Sequence, residues 1–212
     1  MIKEADTEDF DRQAHWEQVY SEKSPTEVSW FQSHPQQSLE LVKTAAIDKS
    51  ARIIDVGGGA STLVDYLLDA GYQNITVLDI AQAAIDQAKR RLGERAGNVV
   101  WIKKDVTAFS ADEAFDIWHD RAVLHFLTDE DEQKKYVAVL RRTLKLGGQA
   151  IIAAFNLDGP DKCSGLDIVR YNAESMSALL GRAFQLIETV TEEHATPRGS
   201  SQSYVYCRFN KV

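Results

Sequence analysis

Three consecutive glycines follow a short apolar run that ends in a carboxylate, in the order Asp55-Val56-Gly57-Gly58-Gly59. The β-branched run before them predicts a buried strand, and the spaced leucines that follow predict the start of a helix. Glycine tolerates positive φ and lets backbone N–H groups approach a ligand closely, and a helix N-terminus adds partial positive charge. The turn therefore predicts a site that holds a polar ligand.

Two further carboxylates stand where predicted strands end. Asp79 ends the run 75–79, and Asp105 follows the run 99–102. Asp79 lies 24 residues after Asp55, near the spacing at which an acid reaches ribose hydroxyls in nucleoside-binding α/β folds. Each acid also has an ordinary interpretation, since Asp79 is a candidate helix cap and Asp105 a candidate solvated turn residue. Three acids at three strand ends nevertheless favour a nucleoside site.

Two common nucleotide motifs do not fit the turn. A dinucleotide fingerprint requires a third glycine where the chain has Thr62, which disfavours a dehydrogenase. A P-loop requires Gly-Lys-Ser/Thr at the end of the loop, and the chain has none there.

The turn resembles the Asp-x-Gly-x-Gly motif of class I S-adenosylmethionine-dependent methyltransferases. Asp55, Gly57 and Gly59 match it, and Ser61 stands where that family often has another glycine. The resemblance implies S-adenosyl-L-methionine as cofactor, S-adenosyl-L-homocysteine as product, and glycines close to the methionine moiety. It also implies that an acid bonds the adenine amino group and that the next N–H meets a ring nitrogen. The cofactor-binding residues implied are Trp16, Trp30, Asp55, Gly57, Gly58, Gly59, Asp79, Ile80, Asp105, Val106, Asp120 and Arg121.

The segment after the predicted fourth strand, 115–119, is the one most informative about the acceptor. It resembles the fourth methyltransferase motif, whose residues touch the methionine end and face the acceptor. Asp120 and His125 are accordingly the candidate catalytic bases, with Arg121 beside them. The alternatives are a self-contained Asp120–Arg121 salt bridge and a packed, hydrogen-bonded His125.

Aromatic residues are concentrated ahead of the glycine turn, at Trp16, Tyr20, Trp30 and Phe31. One interpretation is that they only anchor an N-terminal arm to the domain. The other is that they line a cleft, where aromatic faces attract a sulfonium cation and exclude water. Small bacterial methyltransferases carry a similar leader, which favours the second interpretation for Trp30 and Phe31.

Strands alternate with helices along the chain before two closing strands. This order predicts an α/β three-layer sandwich with a mostly parallel, seven-stranded Rossmann-like sheet and a C-terminal antiparallel hairpin. We expect a single methyltransferase domain over 1–212, in which an arm, 1–48, covers the cleft of a core, 49–212. The polar segment 156–171 is predicted to be a loop.

Composition limits the partners. The net charge of -8 and pI near 5.2 make nucleic acid an improbable substrate. The two cysteines, Cys163 and Cys207, form no metal-binding pattern, so no metal is expected. The chain shows no signal peptide and no membrane-spanning run, which predicts a soluble, cytoplasmic protein. A small-molecule acceptor is preferred, a protein lysine is the alternative, and non-catalytic cofactor binding is the third hypothesis; the pattern does not indicate an oligomeric state.

Overall fold

The computed structural model describes residues 10–212. Most of the acidic N-terminal stretch, 1–9, therefore lies outside the described residues. The strands are β1 Arg52–Val56, β2 Asn74–Asp79, β3 Val99–Lys103, β4 Phe115–Arg121, β5 Leu144–Phe155, β6 Lys162–Cys163, β7 Leu166–Asp167, β8 Phe184–Ala195 and β9 Ser201–Lys211. Seven of them form one sheet in the order β3-β2-β1-β4-β5-β9-β8. β6 and β7 form a separate antiparallel pair.

The first five strands of the sheet are parallel, and β9 and β8 continue it in antiparallel pairing. The strand order reverses direction at β1, which places β2 on one side of it and β4 on the other. In open α/β sheets a ligand crevice forms at such a switch point, at the carboxyl ends of the strands. The predicted fold, a mostly parallel seven-stranded sheet with a closing hairpin, is confirmed.

Helices cover both faces of the sheet. They are α1 Arg12–Glu22, α2 Gln36–Ala45, α3 Leu63–Asp69, α4 Gln82–Leu92, α5 Glu130–Thr143 and α6 Ala173–Leu180. One core joins Ile53 and Ile117 to α2 and α3, and the other joins Ile54 and Trp118 to α5 and α6. Because alternate strand residues point to opposite faces, neighbours in β1 and β4 serve different cores.

Several predicted boundaries change. β5 begins at Leu144 directly after α5, five residues before the apolar run from Gln149 that predicts this strand in the sequence. The segment 156–171 was expected to be a loop, but it contains the β6–β7 pair, and Cys163 there is buried. The closing strands extend beyond the alternating runs 184–190 and 203–209 that predict them in the sequence, and β8 continues through His194. These segments form strands in spite of their polar composition, because the long antiparallel pairing gives their backbone groups hydrogen-bond partners.

Within residues 10–212, no helix has the length and apolar character required to cross a membrane. The same part of the chain contains no group of three or more His, Cys, Asp or Glu residues placed to hold a metal ion.

Candidate active site

A cleft, here called the main cleft, opens at the carboxyl ends of β1, β2 and β4 and beside β3. Its walls come from these strand ends, from the segment 12–30 and from Phe126 and Cys163. Eight of the residues expected to bind the cofactor line it: Trp16, Trp30, Gly57, Asp79, Ile80, Asp105, Val106 and Arg121. The structure therefore brings together residues that are far apart in the chain.

The three glycines of the turn are required by close packing. Gly57 has φ of +68°, and a Cβ atom there would lie 2.1 Å from Cγ2 of Val123. A Cβ on Gly58 would lie 2.2 Å from Asp55 Oδ2, and one on Gly59 would lie 2.5 Å from Asp79 Oδ2. The turn therefore approaches its neighbours more closely than any side chain allows.

Asp79 joins this turn to the end of β2. The amide of Gly59 donates to Asp79 Oδ2 at 2.9 Å, and the amide of Ala81 donates to Oδ1 at 2.8 Å. Asp79 is only 6% exposed, and this burial raises the pKa of its carboxyl to about 6, against the opposing effect of the amide bonds. Each oxygen keeps a second lone pair, so the carboxylate can still accept hydroxyl protons from a ligand.

Asp105 caps the short helical turn Val106–Ala108 after β3. Its Oδ1 accepts from the amide and from Oγ1 of Thr107, both at 2.7 Å. Its Oδ2 accepts from Arg12 Nη1 of α1 at 3.1 Å, and the same guanidinium binds Glu132 on α5. Val106 lies next to it in the wall of the main cleft. The carboxylate and the following amide thus stand together at the β3 end of the cleft.

An aromatic group closes the main cleft from the N-terminal side. The Trp16 ring lies 4.9 Å from that of Phe126 and 5.7 Å from that of Trp30, in edge-to-face contacts. Trp30 Nε1 donates to the hydroxyl of Tyr20 at 3.2 Å. Tyr20 also lines the cleft, although sequence reasoning left it as an open candidate.

The segment 12–32 is held to the core at both ends. Glu17 accepts from the amides of Gln82 and Ala83, at 2.7 and 3.1 Å, which satisfies free N–H groups at the start of α4. At the other end, His194 Nε2 bonds the carbonyl of Ser29 at 2.8 Å, and Gln32 donates to Glu192 at 2.9 Å.

Arg121 lies at the end of β4 with its side chain 11% exposed, and it borders both the main cleft and the cavity described next. Its Nε donates to Tyr206 at 2.9 Å and its Nη1 to the Trp30 carbonyl at 3.1 Å. The guanidinium carbon lies 4.3 Å from the centre of the Tyr204 ring. Nη2 has no hydrogen-bond partner and lies 3.8 Å from Glu192 Oε2.

A second cavity, here called the side cavity, lies on the other side of the glycine turn. Asp55 and Gly58, both expected at the cofactor, line it together with His119 of β4 and Ser38 of α2. The Oδ1 atom of Asp55 lies 2.7 Å from His119 Nδ1. Gly59 lines neither cavity and instead supports Asp79 through its amide.

Asp120 and His125 do not reach either cavity, so the expectation that they face an acceptor is not met. Asp120 is fully buried on the opposite face, where it accepts from the amides of Val123 and Leu124 and from Tyr136 Oη. Burial raises the pKa of its carboxyl to about 6. It organises the chain after β4 rather than contacting a ligand.

His125 is also fully buried, and neither ring nitrogen has a hydrogen-bond partner. Its ring packs on those of Phe126 and Phe155, at 4.3 and 4.9 Å. Burial, aided by the charge of Arg121, lowers the pKa of this imidazole to about 3, so it is neutral at physiological pH. Packing is the role that its surroundings support.

These walls fit the cofactor that the sequence implied. The main cleft presents two carboxylates for hydroxyl and amino protons, a glycine turn that leaves no room for Cβ atoms, and aromatic faces for a cation. Residues 53–148 match the family model described as a methyltransferase domain. This stretch of the chain is a methyltransferase domain.

Curated relatives of this methyltransferase domain fall into two groups. The eEF1A lysine and N-terminal methyltransferase of Mus musculus is 29% identical over 152 residues, which is 68% of this chain and 21% of that protein. Nodulation protein S of Rhizobium tropici is 33% identical over 114 residues, 54% of this chain and 47% of that protein. The chain therefore spans between about a fifth and a half of the length of these relatives.

A solved structure shares the fold across nearly the whole chain. The N-methyltransferase NodS from Bradyrhizobium japonicum, in complex with S-adenosyl-L-homocysteine, superimposes with a TM-score of 0.72 at 18% identity. The match covers 95% of this chain and 99% of that one. The structural similarity confirms the predicted fold, and the match over 53–148 agrees with the predicted methyltransferase family.

Proposed function

We propose that the chain is an S-adenosylmethionine-dependent methyltransferase that acts on a small molecule. The observation that carries this proposal is the joining of the glycine turn to Asp79, with Asp105 and Val106 at the next strand end, along one wall of the main cleft. This arrangement offers a turn for the methionine portion, an acid for the ribose and an acid with a following amide for adenine.

Individual roles follow from the positions of the side chains. Asp79 accepts the protons of the ribose hydroxyls, Ile80 packs beside the ribose, and Asp105 accepts the proton of an exocyclic amine. The amide of Val106 is available for a ring nitrogen. Trp16 and Trp30 present aromatic faces that attract a sulfonium and exclude water.

The chemistry places few demands on the protein. The cofactor supplies a methyl group that is already activated by positive sulfur. The residues of the chain therefore act mainly by holding both reactants in line and by keeping water out. Arg121, whose bonds to Tyr206 and Trp30 fix its position, orients polar groups where the two cavities meet.

The enclosure of the main cleft supports a small-molecule acceptor. Aromatic rings of the segment 16–30 and the β6 residue Cys163 stand over the strand ends, which leaves a walled cleft rather than an open groove. The mouse relative is an eEF1A lysine and N-terminal methyltransferase, and a protein amine is therefore the second candidate acceptor. The third hypothesis is that the chain binds the cofactor without catalysing a methyl transfer.

Binding and turnover distinguish these outcomes. Titration calorimetry with S-adenosyl-L-homocysteine should show binding in the micromolar range that Asp79→Ala weakens at least about tenfold, since a charged hydrogen bond contributes about 1.5–3 kcal/mol. Asp116→Ala, a partly exposed acid on the same sheet that lies outside both cavities, is the control.

Transfer of labelled methyl groups to thiol, amine and carboxylate panels, and in parallel to a lysine-rich protein, then identifies the acceptor. Binding without transfer to any acceptor supports the non-catalytic hypothesis. No binding of the cofactor product by folded protein would exclude the proposed function.

A further inference from the structure

Four buried polar atoms of residues that line the side cavity have no hydrogen-bond partner: Asp55 Oδ2, His119 Nε2, Ser38 Oγ and Arg121 Nη2. The side chains of Asp55 and His119 are each only 3% exposed, and Ser38 is 1% exposed. Buried polar groups are almost always paired, because leaving one unpaired costs about 1–3 kcal/mol. Such a concentration of unpaired atoms in one cavity indicates that a ligand completes it.

Asp55 and His119 form an oriented pair. They are register partners on the adjacent parallel strands β1 and β4, and their side chains meet at 2.7 Å between Oδ1 and Nδ1. Since the carboxylate oxygen accepts this bond, Nδ1 carries a proton, and the tautomer that the bond selects has its lone pair on Nε2. A carboxylate that fixes the tautomer of a histidine in this way is the arrangement that prepares an imidazole to take a proton.

The other titratable groups in the two cavities are poorly suited to that task. Burial raises the pKa of the Cys163 thiol to about 12 and moves the pKa of Tyr20 far above its usual value. Asp79 and Asp105 lie at the β2 and β3 ends and already accept two or more bonds each. The remaining charged residues are the cations Arg12, Lys104 and Arg121. Among the described residues that line the two cavities, His119 is the one imidazole.

The side cavity adjoins the main cleft. Tyr20, Trp30, Val56, Gly57 and Arg121 line both, so the two spaces meet at the glycine turn and at the end of β4. A ligand group bound at this junction would lie in the cavity that His119 lines. It would also lie beside the glycine turn, which is predicted to approach the methionine portion of the cofactor.

We propose that His119 is a catalytic base, positioned by Asp55, that takes the proton of the methyl acceptor through Nε2. This inference rests on the proposed function. The acceptor's lone pair forms a bond to the methyl carbon as the carbon–sulfur bond breaks, and that bond's electron pair stays on sulfur as a neutral thioether. The acceptor's proton moves to Nε2, the resulting imidazolium is stabilised by Asp55, and the proton leaves to water when the product departs.

Three ligands test the proposal without a known acceptor. S-adenosyl-L-homocysteine lacks the methyl group, 5′-methylthioadenosine lacks the amino-acid end, and sinefungin carries an amine at the methyl-bearing centre. His119→Asn retains an amide nitrogen that can bond Asp55 and removes Nε2. By calorimetry we expect this substitution to weaken the binding of sinefungin about tenfold, which corresponds to the loss of one hydrogen bond. The affinity for the other two ligands should change by less than about twofold.

Asp55→Asn tests the positioning role. The asparagine amide donates toward Nδ1, which moves the ring proton to Nε2 and removes its lone pair. The same selective loss of sinefungin is expected, with native circular dichroism. His119→Gln provides the measurement if His119→Asn does not fold, since it also lacks a basic nitrogen.

Other patterns overturn the proposal. Weaker binding of S-adenosyl-L-homocysteine, with unchanged binding of 5′-methylthioadenosine, would show that Asp55 and His119 contact the amino-acid end of the cofactor. An equal loss of affinity for all three ligands would show that Asp55 and His119 have a structural role. Unchanged affinity for all three would show that they lie outside the site. Failure of wild-type protein to bind any of the three defeats the proposed function itself, and the inference with it.

Discussion

The amide of Gly59 donates a hydrogen bond to the carboxylate of Asp79, 20 residues further along the chain. The glycine turn after β1 and the acid that ends β2 are therefore one unit, and a change in the charge of Asp79 affects both. Because burial raises the pKa of Asp79 to about 6, this charge changes within an experimentally accessible range.

Binding of S-adenosyl-L-homocysteine should weaken as the pH falls through about 6. Ribose hydroxyls donate to the ionised carboxylate, so below this pKa binding must first remove a proton, and affinity falls by up to about tenfold per pH unit. Calorimetry between roughly pH 5 and pH 8 measures this slope. Asp79→Asn should bind weakly with a flat profile; an equal slope in that variant would assign the titration to another group.

Gly57→Ala should destabilise the fold and abolish cofactor binding, because it combines positive φ with a Cβ atom 2.1 Å from Val123 Cγ2. Gly71→Ala is the matched control, since Gly71 has φ of +85° and no atom within 4 Å of the added methyl group. We expect the control to lose about 1 kcal/mol in urea unfolding and to keep its affinity, and Gly57→Ala to lose more. Equal losses in both would show that the close packing of the turn contributes nothing.

His125→Phe should flatten the acid dependence of stability. Burial lowers the pKa of His125 in the folded state to about 3 from its usual 6.5, so the unfolded chain binds more protons between these values. Wild-type stability therefore loses about 1.4 kcal/mol per pH unit from this group as the pH falls below about 6.5. The difference in unfolding free energy between variant and wild type, measured across this range, isolates the effect.

The buried acids act in the opposite sense. The raised pKa of Asp79 and Asp120, both about 6, makes the folded state gain protons as the pH falls. Their contribution cancels in the comparison of variant with wild type.

His34→Gln, at an exposed position, serves as the control for the His125 variant and should retain the wild-type pH dependence of the unfolding free energy. If His125→Phe also retains this pH dependence, the prediction is contradicted.

Glu17→Ala should loosen α1 from the core. Glu17 caps the first amides of α4 and its loss removes two charged hydrogen bonds, at a cost of about 1–2 kcal/mol. Amide exchange in α1 should become faster while that of α5 stays unchanged, and cofactor affinity should fall because Trp16 lies on the same helix. Glu22→Ala, an exposed change on α1, should do neither. Unchanged exchange after Glu17→Ala would mean that other contacts hold α1.

The sequence was informative where function depends on local pattern. A glycine turn between a strand and a helix, and an acid at the end of each neighbouring strand, are visible in short windows around Gly57, Asp79 and Asp105. Parallel order then places these ends at one edge without knowledge of any side-chain contact. Gly57, Asp79 and Asp105 in the wall of the main cleft follow from this reasoning, whereas Trp16, Trp30 and Arg121 were expected there from the family resemblance.

The proposed base, His119, was harder to predict from the sequence than the residues of the glycine turn, because its contact with Asp55 joins two strands. His119 lies inside an apolar run, and only the pairing of β1 with β4 brings it to Asp55. One local signal was available: His119 and Arg121 alternate with Asp120 along β4, so they point to the face opposite that acid. Applying this period of two would have separated Asp120 from the cleft.

The long closing strands have a consequence for how the cleft is assembled. His194 and Gln202, on β8 and β9, contact Ser29, which precedes them by 165 and 173 positions. During synthesis on the ribosome the aromatic segment emerges before β8 and β9, so its contacts at Ser29 are made after every parallel strand is complete. The Rossmann-like sheet can therefore form before its cleft is closed, and enclosure of the site is among the last events in the folding of the nascent chain.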